Sequence, residues 1–166
     1  KFVLSIVAIP LAVLVLLSAC ATPMLQPAEE KTAPMTNTIN EIKLFEKDME
    51  KAKQEQLDIL SPGWFAKAEA SFAKAKAKTE KGAALTDIGK DISEGREYLK
   101  NAEETAKVAR TMLPNVIESR RLARVAGATK LDKEYGQVEK QFLNLTEAIE
   151  KNNINYTKKN ASKVSE

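Results

Sequence analysis

The sequence of 166 residues contains no histidine, only one cysteine and only 5% aromatic residues. Without histidine, the chain offers neither an imidazole base nor a histidine ligand for a metal. No Walker-type phosphate loop and no Gly-x-Ser-x-Gly nucleophile motif is present. The formal net charge of +3 is too small to indicate nucleic-acid binding. These absences favour a non-enzymatic protein that uses no metal and no other cofactor.

A single long apolar run begins the sequence. Residues 2–19 read FVLSIVAIPLAVLVLLSA and follow Lys1. A basic residue, an apolar stretch and small residues at its end are typical of a secretory signal. The alternative is a transmembrane anchor, which needs about 20 apolar residues, but this run is slightly shorter and contains Pro10. We therefore predict a signal peptide over 1–19.

The only cysteine, Cys20, follows this run in the sequence Leu17-Ser18-Ala19-Cys20. This ending resembles the lipobox of bacterial lipoproteins. The resemblance implies that the Cys20 thiol carries a covalent diacylglycerol, that the signal is cut before it and that the new N-terminus is acylated. Ala21 then implies the outer membrane, by resemblance to the sorting rule of Gram-negative bacteria. The alternative is an ordinary signal with a cysteine near its cleavage site.

The next segment differs in composition from everything that follows. Residues 21–37 hold three of the six prolines and show no apolar period, which is typical of a flexible tether. We therefore predict a lipidated N-terminus and flexible linker over 20–37. Apolar residues at helical spacing then predict a helical body over 38–153. A polar tail is predicted over 154–166, with frayed structure.

Helix boundaries follow from capping residues, prolines and glycines. Thr38 and Glu41 have capping-box spacing, and Ser61 before Pro62 is typical of a helix start. Pro114 lacks a donor and crowds the preceding turn, so it predicts a kink. The four predicted helices run from Thr38 to about Leu60, from Pro62 to Gly82, from Thr86 through Pro114 to Gly127, and from Asp132 to about Asn153.

The third predicted helix has the most regular apolar spacing. Apolar or small residues recur from Leu85, directly before the helix, to Leu113 at intervals of three and four, which favours coiled-coil-like packing. Many of the predicted core positions in the body are alanine, and three glycines lie inside helices, namely Gly89, Gly95 and Gly136. Each costs up to about 1 kcal/mol relative to alanine. We predict an all-α fold of modest stability: an elongated antiparallel bundle of three to four long helices, with helix 3 kinked near Pro114.

One segment resembles a module from other proteins. Residues 123–142, ARVAGATKLDKEYGQVEKQF, resemble an Ala-rich helical module of uncharacterised bacterial envelope lipoproteins, some of which also carry an OmpA-like domain. The resemblance implies helical fold and envelope location, and no activity. Segments 65–82 and 135–152 also align weakly, as in a duplicated helical hairpin or as an effect of shared heptad spacing.

A basic cluster is the candidate binding site. It consists of Arg110, Arg120, Arg121 and Arg124. Arginine favours phosphate and carboxylate ligands, so candidates are lipid headgroups, lipopolysaccharide and peptidoglycan. The alternative is a solvated face near a helix C-terminus, where cations are favourable. The only tryptophan, Trp64, marks either a partner surface or packing at a hairpin tip.

Two functions follow from these patterns. The first is a lipid-anchored, periplasmic scaffold, spacer or adaptor at the outer membrane, with an envelope protein or peptidoglycan as partner and no nucleic acid. The second is a binding module for an anionic envelope polymer through the basic cluster. An enzyme is a distant third, because carboxylates on Lys/Glu-rich helices are usually solvated partners of basic neighbours.

Overall fold

The computed structural model describes residues 32–165, with side chains from residue 36 onward except at position 132. This part of the chain consists of helices joined by short turns and contains no strand, which confirms the all-α class. The predicted signal peptide, Cys20 and residues 20–31 of the predicted linker lie outside the described residues.

Seven α-helices and one short 3-10 turn make up the described chain. They are α1 (Thr32–Gln54), α2 (Leu57–Leu60), α3 (Pro62–Glu80), α4 (Leu85–Met112), α5 (Pro114–Val125), the 3-10 turn Ala128–Lys130, α6 (Asp132–Glu150) and α7 (Ile154–Ser165).

Helix α1 differs from its prediction at both ends. It begins at Thr32, so residues 32–37 are helical and the predicted linker 20–37 is wrong there. Pro34 is tolerated because the first turn of a helix has no intrahelical partner for its N–H groups. The helix ends at Gln54 instead of continuing to Leu60, and Gln56 adopts the left-handed conformation with φ 61°.

The short helix α2 explains this early break. Its two leucines, Leu57 and Leu60, are 0% and 3% exposed. If α1 continued straight, these two leucines would follow its axis. The turn at Gln56 changes the chain direction and places them in the core. Burial of each such side chain stabilises the fold by about 1.5–3 kcal/mol, so the two leucines together offset the cost of one left-handed residue, which is about 1–3 kcal/mol.

Helices α3 and α4 form the most extensive helix pair. Their buried alanines are Ala68, Ala75, Ala102, Ala106 and Ala109. Alanine has no side-chain bulk beyond Cβ, so the two backbones approach closely. Phe45 of α1, which is fully buried, packs edge to face on Phe72 of α3 with ring centroids 5.3 Å apart.

The chain divides at Leu113 into two helices, where the sequence predicts one kinked helix. Helix α4 ends at Met112, Leu113 has φ −123° and ψ 37°, and α5 begins at Pro114. The residue before a proline is pushed away from helical angles, and the proline ring removes a donor. Leu113 is only 1% exposed, so the break itself is packed in the core.

The frayed structure predicted for the polar tail 154–166 is wrong over 154–165, where the chain forms helix α7. Thr157 is fully buried, and Ala161 and Val164 pack against the core. These positions follow Ile154 at intervals of three and four, so the helical period is present in weakly apolar residues. The Ser119 hydroxyl of α5 donates to the carbonyl of Ser165 at 3.1 Å, which ties the end of α7 to α5.

Candidate functional site

An open cleft of about 640 Å³ lies where the end of α1 and helix α2 face α5. It contains three of the four arginines of the predicted basic cluster. Its lining residues are Lys53, Gln56, Asp58, Ile59, Ile117, Arg120, Arg121, Arg124 and Val125. Four of these carry positive charge and one carries negative charge, and two isoleucines and a valine supply apolar surface. We call this the basic cleft.

Arg120 is the buried member of the cleft. Its side chain is 9% exposed, and Nε lies 2.8 Å from Oε1 and 3.0 Å from Oε2 of Glu139 on α6. Its guanidinium also lies 5.5 Å from the ring centroid of Phe142. A buried cation held by its own carboxylate and packed on an aromatic ring is committed to the fold. Arg120 therefore acts mainly as a structural link between α5 and α6, and less as a ligand-binding residue of the cleft.

Arg121 and Lys53 are exposed and paired. Arg121 donates from Nε and Nη2 to the two carboxylate oxygens of Glu118, at 2.8 and 2.7 Å. This bond raises the pKa of Arg121 and lowers the pKa of Glu118. Lys53 lies 2.8 Å from Glu69 of α3, whose hydrogen bond raises the pKa of Lys53. Exposed pairs contribute little to stability, and an incoming anion competes with them easily.

Arg124 is the arginine of the cleft that is open to a ligand. It is exposed, and it forms no ion pair with any residue whose side chain the structure describes. It is three residues beyond Arg121, on the same side of α5 and next to Val125. An anion that enters the basic cleft would therefore meet Arg124 without displacing another carboxylate.

Arg110 lies apart from the other three arginines. Its Nη2 donates to the backbone carbonyl of Glu55 at 2.6 Å, just past the end of α1, and Arg110 does not line the cleft. The bond satisfies a carbonyl that the end of a helix leaves without a partner. The structure thus brings Arg120, Arg121 and Arg124 together and assigns Arg110 to the turn after α1.

A second polar site joins the end of α6 to the beginning of α3. The Glu150 carboxylate accepts a hydrogen bond from the Ser61 hydroxyl at 2.6 Å, and from the backbone N–H groups of Gly63 and Trp64 at 3.0 Å each. A carboxylate at a helix N-terminus satisfies free donors and complements the helix dipole. Glu150 therefore does the capping that the sequence assigns to Ser61. We call this arrangement the Glu150 cap.

Sequence patterns do not reveal the Glu150 cap, because its partners are 87 residues apart. The one sequence feature that accompanies the Glu150 cap is the glycine at position 63. A Cβ atom at Gly63 would lie 2.5 Å from the Glu150 carboxylate, so the absence of a side chain admits that carboxylate. A glycine in the first turn of a helix carries no such meaning by itself.

Trp64 contributes to packing beside this cap. It is half-buried and stacks on Tyr98 of α4 with ring centroids 6.0 Å apart and an interplanar angle of 24°. Lys67 places its ammonium 4.0 Å from the centroid of the Trp64 ring. These contacts favour packing over a partner surface, since one face of the indole is already stacked and a cation occupies part of the ring surface.

Residues 32–165 hold no cluster of three or more acidic or cysteine side chains placed to bind a metal ion. Within the same range, every helix is too short or too polar to cross a bilayer. Protein-family models, curated proteins and solved structures gave no match to this chain. The function proposed for the basic cleft therefore depends on the chemistry of its own residues.

Proposed function

We propose that the chain is a lipid-anchored helical lipoprotein on the periplasmic face of the outer membrane, and that it acts there as a non-enzymatic scaffold, spacer or adaptor. The observation that carries this proposal is Leu17-Ser18-Ala19-Cys20 directly after the apolar run. The resemblance of residues 123–142 to a module of envelope lipoproteins agrees with the same location. Three acyl chains hold a protein at a bilayer far more firmly than one.

The proposal includes an elongated antiparallel bundle as the body. Contacts between α3 and α4 support it, because late residues of α3 meet early residues of α4 and the reverse. Lys78 lies 2.7 Å from Asp91, whereas Trp64 stacks on Tyr98. Helix α4 has 28 residues and thus a length of about 42 Å.

Helix α1 determines how far the body reaches from its point of attachment. With 23 residues it is about 35 Å long. The proposed tether joins its N-terminal end, and the basic cleft lies at its C-terminal end. Residues 21–31 extend at most about 40 Å when fully stretched. A partner bound at the cleft therefore stays within the combined reach of the helix and the tether from the anchor.

The anchor is tested by metabolic labelling with a fatty acid in a bacterial cell that processes lipoproteins. Wild type should incorporate the label, and Cys20→Ser, which changes one atom of the side chain, should not. An immunoblot for the chain controls for its abundance. Equal labelling of the two proteins, or a mass spectrum of the native protein with a free Cys20 thiol, contradicts the proposal. Crosslinking in cells then identifies the envelope partner.

A second candidate function is binding of an anionic envelope polymer, namely peptidoglycan or lipopolysaccharide. The convergence of Arg120, Arg121 and Arg124 on one cleft favours it. Arg124→Glu should lower cosedimentation with peptidoglycan sacculi or with lipopolysaccharide, and it leaves the buried Arg120 pair in place. Lys43→Glu is the control, with the same charge change ten residues before Lys53, about 15 Å along α1. Equal binding by Arg124→Glu and wild type contradicts this function.

A further inference from the structure

One surface of the molecule combines exposed aliphatic and basic side chains. It comprises the last residues of α5, the 3-10 turn and the residue that leads into α6. We call residues 121–131, RLARVAGATKL, the tip. Leu122, Val125 and Leu131 are 52%, 75% and 58% exposed. These are three large aliphatic side chains within ten residues that the core does not cover. Single exposed aliphatic residues are ordinary, but a group of them at one turn indicates an interaction surface.

The charge of the tip has one sign. It contains Arg121, Arg124 and Lys130 and no acidic residue. Arg121 is bound to Glu118, and Arg124 has no ion-pair partner among the side chains that the structure describes. Exposed aliphatic groups beside unpaired cations suit a surface that is anionic outside and apolar beneath. An anionic lipid bilayer has this arrangement.

A second copy of the chain fits the tip less well. The common symmetric dimer brings the same patch of both copies together, and Arg124 and Lys130 of one tip would then oppose the same two cations of the other. A stable protein interface also buries roughly 800 Å² per partner, far more than three partly exposed aliphatic side chains present. A contact with lipid needs less area when an anchor already holds the chain at the membrane.

We propose that the tip is a docking surface for an anionic bilayer, with Leu122, Val125 and Leu131 entering the interface and Arg124 binding lipid phosphate. This inference rests on the proposed anchor, which supplies the proximity. Docking of the tip gives the chain a second attachment at the opposite end of α1 from the tether. The body then lies along the membrane in one orientation and presents one side to the periplasm.

The test uses the full lipidated chain in vesicles and one fluorescent label. Because Cys20 is a thioether in the lipidated chain, a cysteine placed at Ala126 is its only thiol. Ala126 is exposed and adjoins Val125 without belonging to the apolar set. Ala73→Cys, at an exposed alanine in the middle of α3, is the matched control. Quenchers attached to lipid report whether each label reaches the bilayer.

In vesicles of phosphatidylcholine with phosphatidylglycerol, the label at position 126 should be quenched and the label at position 73 should not. In phosphatidylcholine alone both labels should stay in water. Each cation near an anionic surface strengthens binding about five-fold, so Arg124→Glu, a change of two charges, should lower the ratio of docked to free tips about 30-fold. Lys43→Glu should leave that ratio unchanged. Leu122→Ser with Val125→Ser should lower it without changing the charge.

Several results would overturn the proposal. One is a label at position 126 that stays in water on anionic vesicles, and another is equal quenching of wild type and Arg124→Glu. A third is quenching that depends on the number of chains per vesicle, which indicates a second copy as the occupant. Failure of the anchor is recognised separately, because the chain then does not float with phosphatidylcholine vesicles. In that case Cys20→Ser keeps the cysteine at position 126 as the only thiol, and quenching there with an excess of added anionic vesicles still supports docking, whereas its absence refutes it.

Discussion

Gly95 of α4 should not tolerate alanine, although alanine is the better helix former. Gly95 is buried against the ring of Phe45 and against Ser71 of α3. A Cβ atom at position 95 would lie 2.5 Å from Cε1 of Phe45, closer still to Cζ, and 3.2 Å from Cβ of Ser71. Phe45 is fully buried and packs edge to face on Phe72, so its ring cannot move aside without disturbing the core. We therefore expect Gly95→Ala to lower the free energy of unfolding.

Gly89, six residues earlier in the same helix, is the matched control. A Cβ atom at Gly89 meets nothing within 4 Å, and the position is exposed. Gly89→Ala should raise the free energy of unfolding by about 0.5–1 kcal/mol, which is the difference in helix propensity. Gly95→Ala gains the same propensity, so the difference between the two variants isolates the cost of overpacking. That difference should be about 1–3 kcal/mol.

Thermal unfolding followed by circular dichroism measures this difference. For a chain of this size, 1 kcal/mol corresponds to about 2–4 °C in Tm, so Gly95→Ala should melt about 2–12 °C below Gly89→Ala. Phe45→Leu removes the ring and should reduce the cost of Gly95→Ala in a double-mutant cycle, with a coupling of about 1 kcal/mol or more. If Gly95→Ala is as stable as Gly89→Ala, or if the cycle shows no coupling, the close approach of α4 to Phe45 is refuted.

Three further predictions concern the polar contacts. Glu150→Gln keeps the shape of the cap but removes its charge, and should cost about 1–2 kcal/mol in urea unfolding; Gly63→Ala displaces the same carboxylate, so the double variant should cost less than the sum. A simple sum would contradict the shared site. Arg120→Ala should cost about 1–3 kcal/mol, because its carboxylate partner remains partly buried and unpaired, while the exposed Arg121→Ala should change stability by less than about 0.5 kcal/mol. Equal effects of these two variants would contradict the difference in burial. Burial raises the pKa of the Tyr135 hydroxyl above its usual value of 10, and Glu139 raises it further. The unfolded chain then loses this proton first, so stability should fall as the pH rises above about 10. Tyr135→Phe should flatten that fall, measured as Tm against pH, and an unchanged slope would refute the assignment.

Local patterns were sufficient for the helices that bury a regular face. The predicted apolar series begins at Leu85, which is half-buried, and every later position from Ile88 to Leu113 is buried. Intervals of three and four place these residues on one side of the helix whatever they pack against. Pro62 and Gly82 likewise mark the limits of α3 through backbone properties of single residues. Helical spacing alone is not sufficient on α1, where Ile39 lies three residues before the buried Ile42 and is 39% exposed.

Boundaries that depend on distant contacts were predicted incorrectly. The left-handed turn at Gln56 follows from the need to bury Leu57 and Leu60 in a core that other helices supply. Helix α7 was missed because its inward positions are mainly small or polar, and they become buried only when α5 and α6 are in place. The residues near Gln56 and within α7 therefore do not reveal either feature by themselves, because contacts with distant helices override local helix propensity.

The candidate site was predicted in composition and not in arrangement. The spacing of Arg120, Arg121 and Arg124 placed them on one helix. Their ion pairs with acidic residues decide which arginine remains available to a ligand. The carboxylate that holds Arg120 lies on α6, and the one that holds Arg121 lies on α5 itself. Only the assembled fold distinguishes these roles from that of Arg124.

The Glu150 cap has a consequence for the order of events during synthesis. Gly63 leaves the ribosome 87 residues before the carboxylate that accepts its N–H group. At roughly 5–20 residues per second, that interval is roughly 4–17 s. Until then the beginning of α3 has only water as a partner, so a nascent chain that ends before Glu150 keeps this helix end frayed. Helix α6 thus completes the beginning of α3 long after α3 itself has been made.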